Sequence, residues 1–139
     1  MKNTLHLYNN DNVQIVAHRG AAGSNIPCNT IPAFDIALKG GASILEMDLF
    51  KSTDGKIFIF HTGKEPYKLN KNIDLTKLDS EEIKKLRLIN VDFNPTQWGI
   101  NSFDDILEHF KGRCILNLDR IGECIPDVIK AVERHNMKD

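Results

Sequence analysis

Residues 43–61 read SILEMDLFKSTDGKIFIFH, two runs rich in apolar, β-branched and aromatic residues that are joined by an Asp-Gly pair. Such runs predict two buried strands, and an Asp-Gly pair between them is a strong signal for a β-hairpin. Parallel neighbours need a crossover of about a dozen residues or more, so we expect these strands to be antiparallel. A two-residue turn at the Asp-Gly pair sets Asp48 opposite His61, and alternation puts Glu46 on the same face as Asp48.

The rest of the chain alternates strand and helix patterns. A strand is predicted over Val13–Ala17, and the helix that follows is capped by Thr30 and runs to about Lys39. The polar segment from Lys64 to Asp79 is expected to be a connection. Beyond it the pattern predicts helices over Ser80–Leu88, Phe103–Lys111 and Pro126–His135, and a strand over Arg113–Leu118. This order predicts an α/β domain with a mainly parallel sheet.

Composition limits the range of partners. The chain has 139 residues, a formal net charge of -1 and 41% hydrophobic residues, which is typical of one ordinary domain. A charge this close to zero gives no electrostatic basis for binding nucleic acid or an anionic membrane surface. The sequence contains neither the ~18 apolar residues of a membrane helix nor a signal peptide, so we expect a cytoplasmic protein with no membrane span.

Six polar side chains lie near the predicted carboxyl ends of strands, where α/β folds collect functional groups. They are His18, Arg19, Glu46, Asp48, His61 and Asp119. Three carboxylates with no cysteine among them suit a hard cation such as Mg²⁺ or Ca²⁺. Two imidazoles beside that cation can act as general acid and general base near neutral pH, and a guanidinium suits a phosphate. The set predicts metal-assisted attack on a phosphoester.

Motifs run in order through almost the whole chain: Ile15–Ala21, Pro27–Thr30, Ala33-Phe34, Ala37-Leu38, Glu46–Asp48, Asp54-Gly55, Phe60-His61, Asn101–Leu107 and Leu116–Asp119. Together they resemble the glycerophosphodiester phosphodiesterase family. The resemblance implies a TIM-type (β/α)8 barrel that uses a divalent cation. It also implies hydrolysis of small-molecule glycerophosphodiesters to sn-glycerol 3-phosphate and an alcohol. Related barrel phosphodiesterases that act on phosphoinositides or sphingolipids share parts of these motifs and stay open as alternatives.

The resemblance also implies a role for each of the six side chains. His18 and His61 would be the acid/base pair, Arg19 a phosphate contact, and the metal ligands would be Glu46, Asp48 and Asp119. The substrate's own 2-hydroxyl is implied as the nucleophile, giving a cyclic phosphate that water then opens.

Four positions depart from the family pattern. Cys28 stands where Glu is usual, Thr62 where Asp follows the histidine, Asp119 where Glu is commoner, and Ile121 where Lys is customary. Arg120 is basic but one position away, and strand alternation would turn it to the opposite face. The lysines of the polar connection, Lys64, Lys68, Lys71 and Lys77, could attract an anionic substrate, but we expect them to be solvated.

Length sets a further expectation. A complete (β/α)8 barrel rarely fits in fewer than ~200 residues. Residues 1–139 are therefore predicted to form a single, partial domain, the N-terminal part of such a barrel, with three barrel strands that end near His18, Asp48 and Asp119. Open sheet edges invite pairing, so we expect a homo-oligomer if the chain ends at Asp139. The alternative to an enzyme is a non-catalytic or truncated barrel fragment that binds metal or phosphate.

Overall fold

The computed structural model describes residues 13–137. Its strands are β1 (Val16–His18), β2 (Ile44–Lys51), β3 (Ile57–Ile59) and β4 (Ile115–Asp119). Its α-helices are α1 (Ile31–Lys39), α2 (Glu65–Leu69), α3 (Ser80–Lys84), α4 (Phe103–Phe110) and α5 (Ile125–Arg134), and 3₁₀ turns lie at Leu75–Lys77 and Gly122–Cys124. The predicted α/β class is confirmed. Among the described residues, no helix is long and apolar enough to cross a bilayer.

Strand β2 is the centre of the sheet. Strands β1 and β4 pair with β2 in parallel on its two sides, with His18 beside Glu46 and Asp48 beside Asp119. Strand β3 pairs antiparallel with the second half of β2. The expected three parallel barrel strands are therefore present, and their carboxyl ends meet at one edge of the sheet.

The hairpin between β2 and β3 is antiparallel as predicted, but its predicted register is wrong by one residue. Leu49 pairs with Ile59, and the Ser52 N–H donates to the Lys56 carbonyl at 2.9 Å. Residues 53–55 therefore form a three-residue loop, with Gly55 at a φ of 82°. Glycine adopts this left-handed conformation without steric cost, and three-residue loops of this kind are common in hairpins.

The side chain of Asp54 explains why the longer loop is stable. Its carboxylate accepts hydrogen bonds from the Ser52 hydroxyl at 2.6 Å and from the N–H and hydroxyl of Ser80 at 2.9 and 2.6 Å. These bonds lower the pKa of Asp54 to about 2. The loop is thereby hydrogen-bonded to the first residue of α3. Rules for local turn sequences do not predict this contact.

Three predicted helix starts are confirmed. The Thr30 hydroxyl caps α1, the Ser102 hydroxyl caps α4, and Asp79 forms a capping box with Glu82 at α3. Helix α3 ends at Lys84, four residues earlier than expected. Such caps satisfy backbone N–H groups that have no partner inside the helix.

Two apolar cores hold the elements together. The first lies between the sheet and helices α1, α4 and α5, and it takes the side chains of Leu45, Met47 and Leu49 from β2. The second lies beside the hairpin, and its buried members are Phe50, Phe58, Phe60, Leu69, Leu75, Ile83, Leu88 and Ile100. The segment 60–102 is thus packed structure, and the expectation that residues 64–79 are only a connection is wrong because this second core orders them.

Candidate functional site

Three carboxylates converge at the carboxyl ends of β2 and β4. Glu46, Asp48 and Asp119 each offer an oxygen atom, and these atoms all lie within 4.8 Å of one another. The parallel register puts Asp48 beside Asp119, and the two-residue period of β2 puts Glu46 on the same face. Asp48 is fully buried, Glu46 is 8% exposed, and Asp119 is exposed. The arrangement combines two desolvated carboxylates with one that solvent reaches.

Asp48 is held by two neighbours and keeps one oxygen unpaired. The Asn29 amide donates to Asp48 Oδ2 at 2.8 Å, and Arg19 Nε lies 2.7 Å from the same oxygen. The Arg19 contact is an ion pair without hydrogen-bond alignment. Asp48 Oδ1 is buried without a hydrogen-bond partner among the described residues. Buried polar atoms almost always have a partner, so this oxygen fits a role as a cation ligand.

Asn29 is a site residue that the sequence reasoning did not select. Its side chain is 4% exposed, and besides donating to Asp48 Oδ2 its carbonyl oxygen accepts from the Asp48 N–H at 3.4 Å. Its φ of 56° is left-handed, a conformation that asparagine tolerates better than most residues. The sequence signal that could have identified Asn29 is its position immediately before Thr30, the residue that caps α1.

His61 lies beside the carboxylates, although it is not opposite Asp48 in the hairpin as predicted. The Phe60 N–H donates to the Asp48 carbonyl at 2.9 Å, and the chain then turns so that His61 Nε2 lies 4.0 Å from Asp48 Oδ1. His61 Nδ1 is 3.1 Å from the Thr62 carbonyl oxygen. Because a carbonyl oxygen only accepts, this bond requires the hydrogen on Nδ1, and the neutral ring then has its lone pair on Nε2.

His18 lies on the other side of the carboxylates. Its Nε2 is 3.9 Å from Glu46 Oε2, and its side chain is 69% exposed. Burial, and then the charge of Asp48, raise the pKa of Glu46, although His18 and the Arg19 N–H at 3.1 Å counteract part of this shift. A nearby dication would oppose both causes of the raised pKa.

Gly20 explains the tight chain path after His18 and Arg19. It has a φ of 78°, and a Cβ placed on it would lie 2.7 Å from the carbonyl carbon of Ala33 in α1. Only glycine fits this close approach of the loop to the helix. The contact holds the loop after β1 close to α1.

The side chain of Arg120 does not lie on the opposite face of the sheet, where it was expected. It has a φ of 57°, so the strand alternation that would turn it to the opposite face does not extend to this residue. Its Nη2 lies 3.4 Å from the Thr62 hydroxyl, and its N–H donates to Asp119 Oδ1 at 2.7 Å. The guanidinium therefore lies at the same end of the sheet as the carboxylates. In sequence, Arg120 immediately precedes Ile121, the position where the family pattern has Lys.

Lys64, Lys71 and Lys77 are exposed, as expected of a solvated segment, whereas Lys68 is half-buried. Lys64 and Lys68 line a narrow pocket together with Arg19 and His61. Lys71 is exposed, and Lys77 pairs with Asp74 at 3.5 Å. Helix α2, which the sequence did not predict, carries Lys68 to this position.

The match to known proteins agrees with this geometry. The model of the glycerophosphoryl diester phosphodiesterase family matches residues 18–137, a range that contains all three carboxylates and both histidines. The chain belongs to this family. It is 39% identical over 59 residues to a glycerophosphodiester phosphodiesterase of Bacillus subtilis, covering 42% of this chain and 20% of that protein. A glycerophosphodiester phosphodiesterase of Caldanaerobacter subterraneus is 36% identical over 72 residues, covering 52% and 29%.

A solved structure of similar fold extends the comparison. The glycerophosphodiester phosphodiesterase of Agrobacterium tumefaciens matches with a TM-score of 0.74 and 29% identity, covering 89% of this chain and 54% of that one. The family members of known structure are TIM barrels, and this chain spans about half the length of the solved relative. The fold is therefore that of part of a TIM barrel.

Proposed function

We propose that this chain carries the metal-dependent phosphodiesterase site of its family and hydrolyses glycerophosphodiesters to sn-glycerol 3-phosphate and an alcohol. The observation that carries the proposal is the cluster of Glu46, Asp48 and Asp119, whose ligand atoms lie within 4.8 Å of one another. The buried and unpaired Asp48 Oδ1 within the cluster adds support, because a cation would supply its missing partner.

The donor set fits a divalent cation. Glu46, Asp48 and Asp119 would hold Mg²⁺ or Ca²⁺, since both prefer oxygen ligands and accept carboxylates that are partly open to water. When bound, such a cation stabilises negative charge on the phosphoryl oxygens. The ion pair with Arg19 and the bond from Asn29 hold Asp48 Oδ2 in advance, which leaves Oδ1 unpaired and available to a cation.

The histidines supply proton transfer in this proposal. His18 and His61 flank the cluster at 3.9 Å from Glu46 and 4.0 Å from Asp48. One imidazole can take the proton of the attacking hydroxyl while the other returns a proton to the departing alcohol. Arg19, with its side chain 23% exposed, contacts an oxygen of the phosphate while it stays paired to Asp48.

The direct test is release of sn-glycerol 3-phosphate from glycerophosphodiesters by the 139-residue chain, with Mg²⁺, with Ca²⁺ and with chelator. We expect metal-dependent release that His18→Ala and His61→Ala each lower by about 10²-fold or more, the usual contribution of acid/base groups. His109→Ala is the matched control, because His109 lies in α4 and pairs with Asp35 away from the cluster. Release that chelator and both variants leave unchanged contradicts the proposal.

A non-catalytic module that binds metal or phosphate is the second candidate. The departures Cys28, Thr62 and Ile121 favour it, because each replaces a charged group of the family pattern. Metal binding by a folded chain that releases no sn-glycerol 3-phosphate would support this second function over the first.

A further inference from the structure

A groove of about 260 Å³ lies beside the carboxylate cluster, between the loop after β1, helix α2 and residues 89–93. The Ile89 N–H donates to the Lys68 carbonyl at 2.9 Å, which fastens the last segment to α2. The Asn90 amide donates to Asn25 Oδ1 at 2.7 Å, which joins this segment to the first loop. The walls of the groove are therefore connected by specific hydrogen bonds.

The groove adjoins a narrow pocket at the strand ends. Cys28 and Lys68 line both the groove and the narrow pocket that contains Arg19 and His61. Cys28 thus lies between Arg19 and the groove, and a ligand whose phosphate contacts Arg19 would reach the groove by extending past Cys28. In a phosphodiester, the group that extends from the phosphate is one of its two alcohols.

The charged side chains that line the groove and the connecting pocket are all basic. Lys68 lines it and Lys64 lines the connecting pocket, whereas no acidic residue belongs to the described lining of either. Glu65, between these lysines in sequence, is buried and directed at the Leu75 N–H at 3.5 Å. Asp92 is exposed at the tip of its segment and does not line the groove. A positively charged alcohol is repelled by these lysines, and the described lining holds no carboxylate to offset that repulsion.

The aromatic side chains reinforce this selection. Tyr67 and Phe93 line the groove and are 65% and 59% exposed, so their rings are available to a ligand. The ammonium of Lys64 already lies 5.9 Å from the centre of the Tyr67 ring. A quaternary or primary ammonium of the substrate would compete with that lysine for the ring face, whereas the C–H faces of a polyol would not.

We propose that this groove binds the departing alcohol and selects hydroxyl-rich alcohols without positive charge, such as glycerol or inositol, over choline and ethanolamine. The proposal rests on the proposed phosphodiesterase function and adds the substrate class to it. Lys68 and Lys64 are its specificity-determining residues. Cys28, Tyr67 and Phe93 supply a neutral surface in the groove.

The test compares kcat/KM for glycerophosphoinositol and glycerophosphoglycerol with kcat/KM for glycerophosphocholine, at low salt. The polyol substrates are expected to be favoured by about three- to tenfold, the effect of one or two nearby charges at a wet site. Lys68→Glu and, separately, Lys64→Glu are expected to remove or invert this ratio. Lys71→Glu, which changes the same charge outside the groove, is expected to leave it unchanged. Two separate lysine variants keep the test informative if one of them fails to fold.

A ratio that favours glycerophosphocholine, or one that neither Lys68→Glu nor Lys64→Glu changes, overturns the proposal while leaving the phosphodiesterase function intact. If no diester is hydrolysed, the proposed phosphodiesterase function is contradicted, and the proposal for the groove is left to a separate test. The groove is then tested by calorimetric binding of the intact glycerophosphoinositol and glycerophosphocholine to the chain. Stronger binding of the inositol diester that Lys68→Glu abolishes supports the groove, and equal binding overturns it.

Discussion

The two faces of strand β2 are equally buried and perform opposite tasks. Leu45, Met47 and Leu49 are at most 1% exposed and pack against the helices, whereas Glu46 and Asp48 on the other face are 8% and 0% exposed and meet Asp119. Apolar burial stabilises the first face, while buried carboxylates are unfavourable without a partner. Burial alone therefore does not distinguish core from site. The unpaired oxygen of Asp48 does.

The largest expected effect falls on the helix-facing side of β2. Met47→Ala removes a fully buried side chain from the first core and should lower the free energy of unfolding by about 2–5 kcal/mol. Urea unfolding of the metal-free chain measures this. Divalent-cation affinity of the folded variant should stay within about twofold of wild type, because Met47 points away from the carboxylates. A change in affinity without a change in stability would reverse the assignment of the two faces.

Gly20→Ala tests the join between the site loop and helix α1. The left-handed φ and the 2.7 Å approach to Ala33 predict a loss of about 2–4 kcal/mol in unfolding free energy. Gly23→Ala is the matched control, since no atom lies within 4 Å of its added Cβ and its φ is not left-handed. Equal thermal stability of the two variants would show that the close approach does not constrain the loop.

Asn29→Gly separates positioning from folding on the polar face. Glycine keeps the left-handed backbone and removes the amide that bonds to Asp48. We expect divalent-cation affinity to fall by about tenfold, as is usual for groups that orient metal ligands. Ser24→Gly, another left-handed position that is exposed, is the control. Calorimetric titration that gives both variants wild-type affinity would exclude a positioning role for Asn29.

The smallest expected effect is a pH dependence. Because burial and Asp48 raise the pKa of Glu46 above 4.5, the metal-free folded chain binds a proton there more tightly than the unfolded chain. This contribution to stability is present below pH 4.5 and is lost as pH rises through the raised pKa. The difference in unfolding free energy between wild type and Glu46→Gln should therefore change across that interval. A constant difference would mean that the pKa of Glu46 is unshifted.

The strand ends were predictable from sequence because local rules specify them. Alternation puts Glu46 and Asp48 on one face, and the caps at Thr30 and Ser102 fix where α1 and α4 begin. The register of the hairpin was not predictable, because Asp54 is fastened by Ser80, 26 residues away. A contact of that range has no local pattern.

The surroundings of the carboxylates were harder to predict for the same reason. Helix α2 forms because Leu69 packs into the second core with distant residues, and only then do Lys64 and Lys68 line the pocket beside Arg19. Arg120 reaches Thr62 through a left-handed φ that the strand pattern does not indicate. The sequence shows that these residues are basic, but the packing of distant residues decides that they lie near the carboxylates.

The central claim is that the polar face of β2 holds a divalent cation, and calorimetric titration of the 139-residue chain with Mg²⁺ and with Ca²⁺ tests it most directly. We predict one site per chain for at least one of the two cations. Asp48→Asn should weaken its affinity by at least about tenfold, whereas Asp92→Asn, an acid outside the cluster, should not. Binding of neither cation by the folded chain, or equal affinity in the Asp48→Asn variant, would contradict the account.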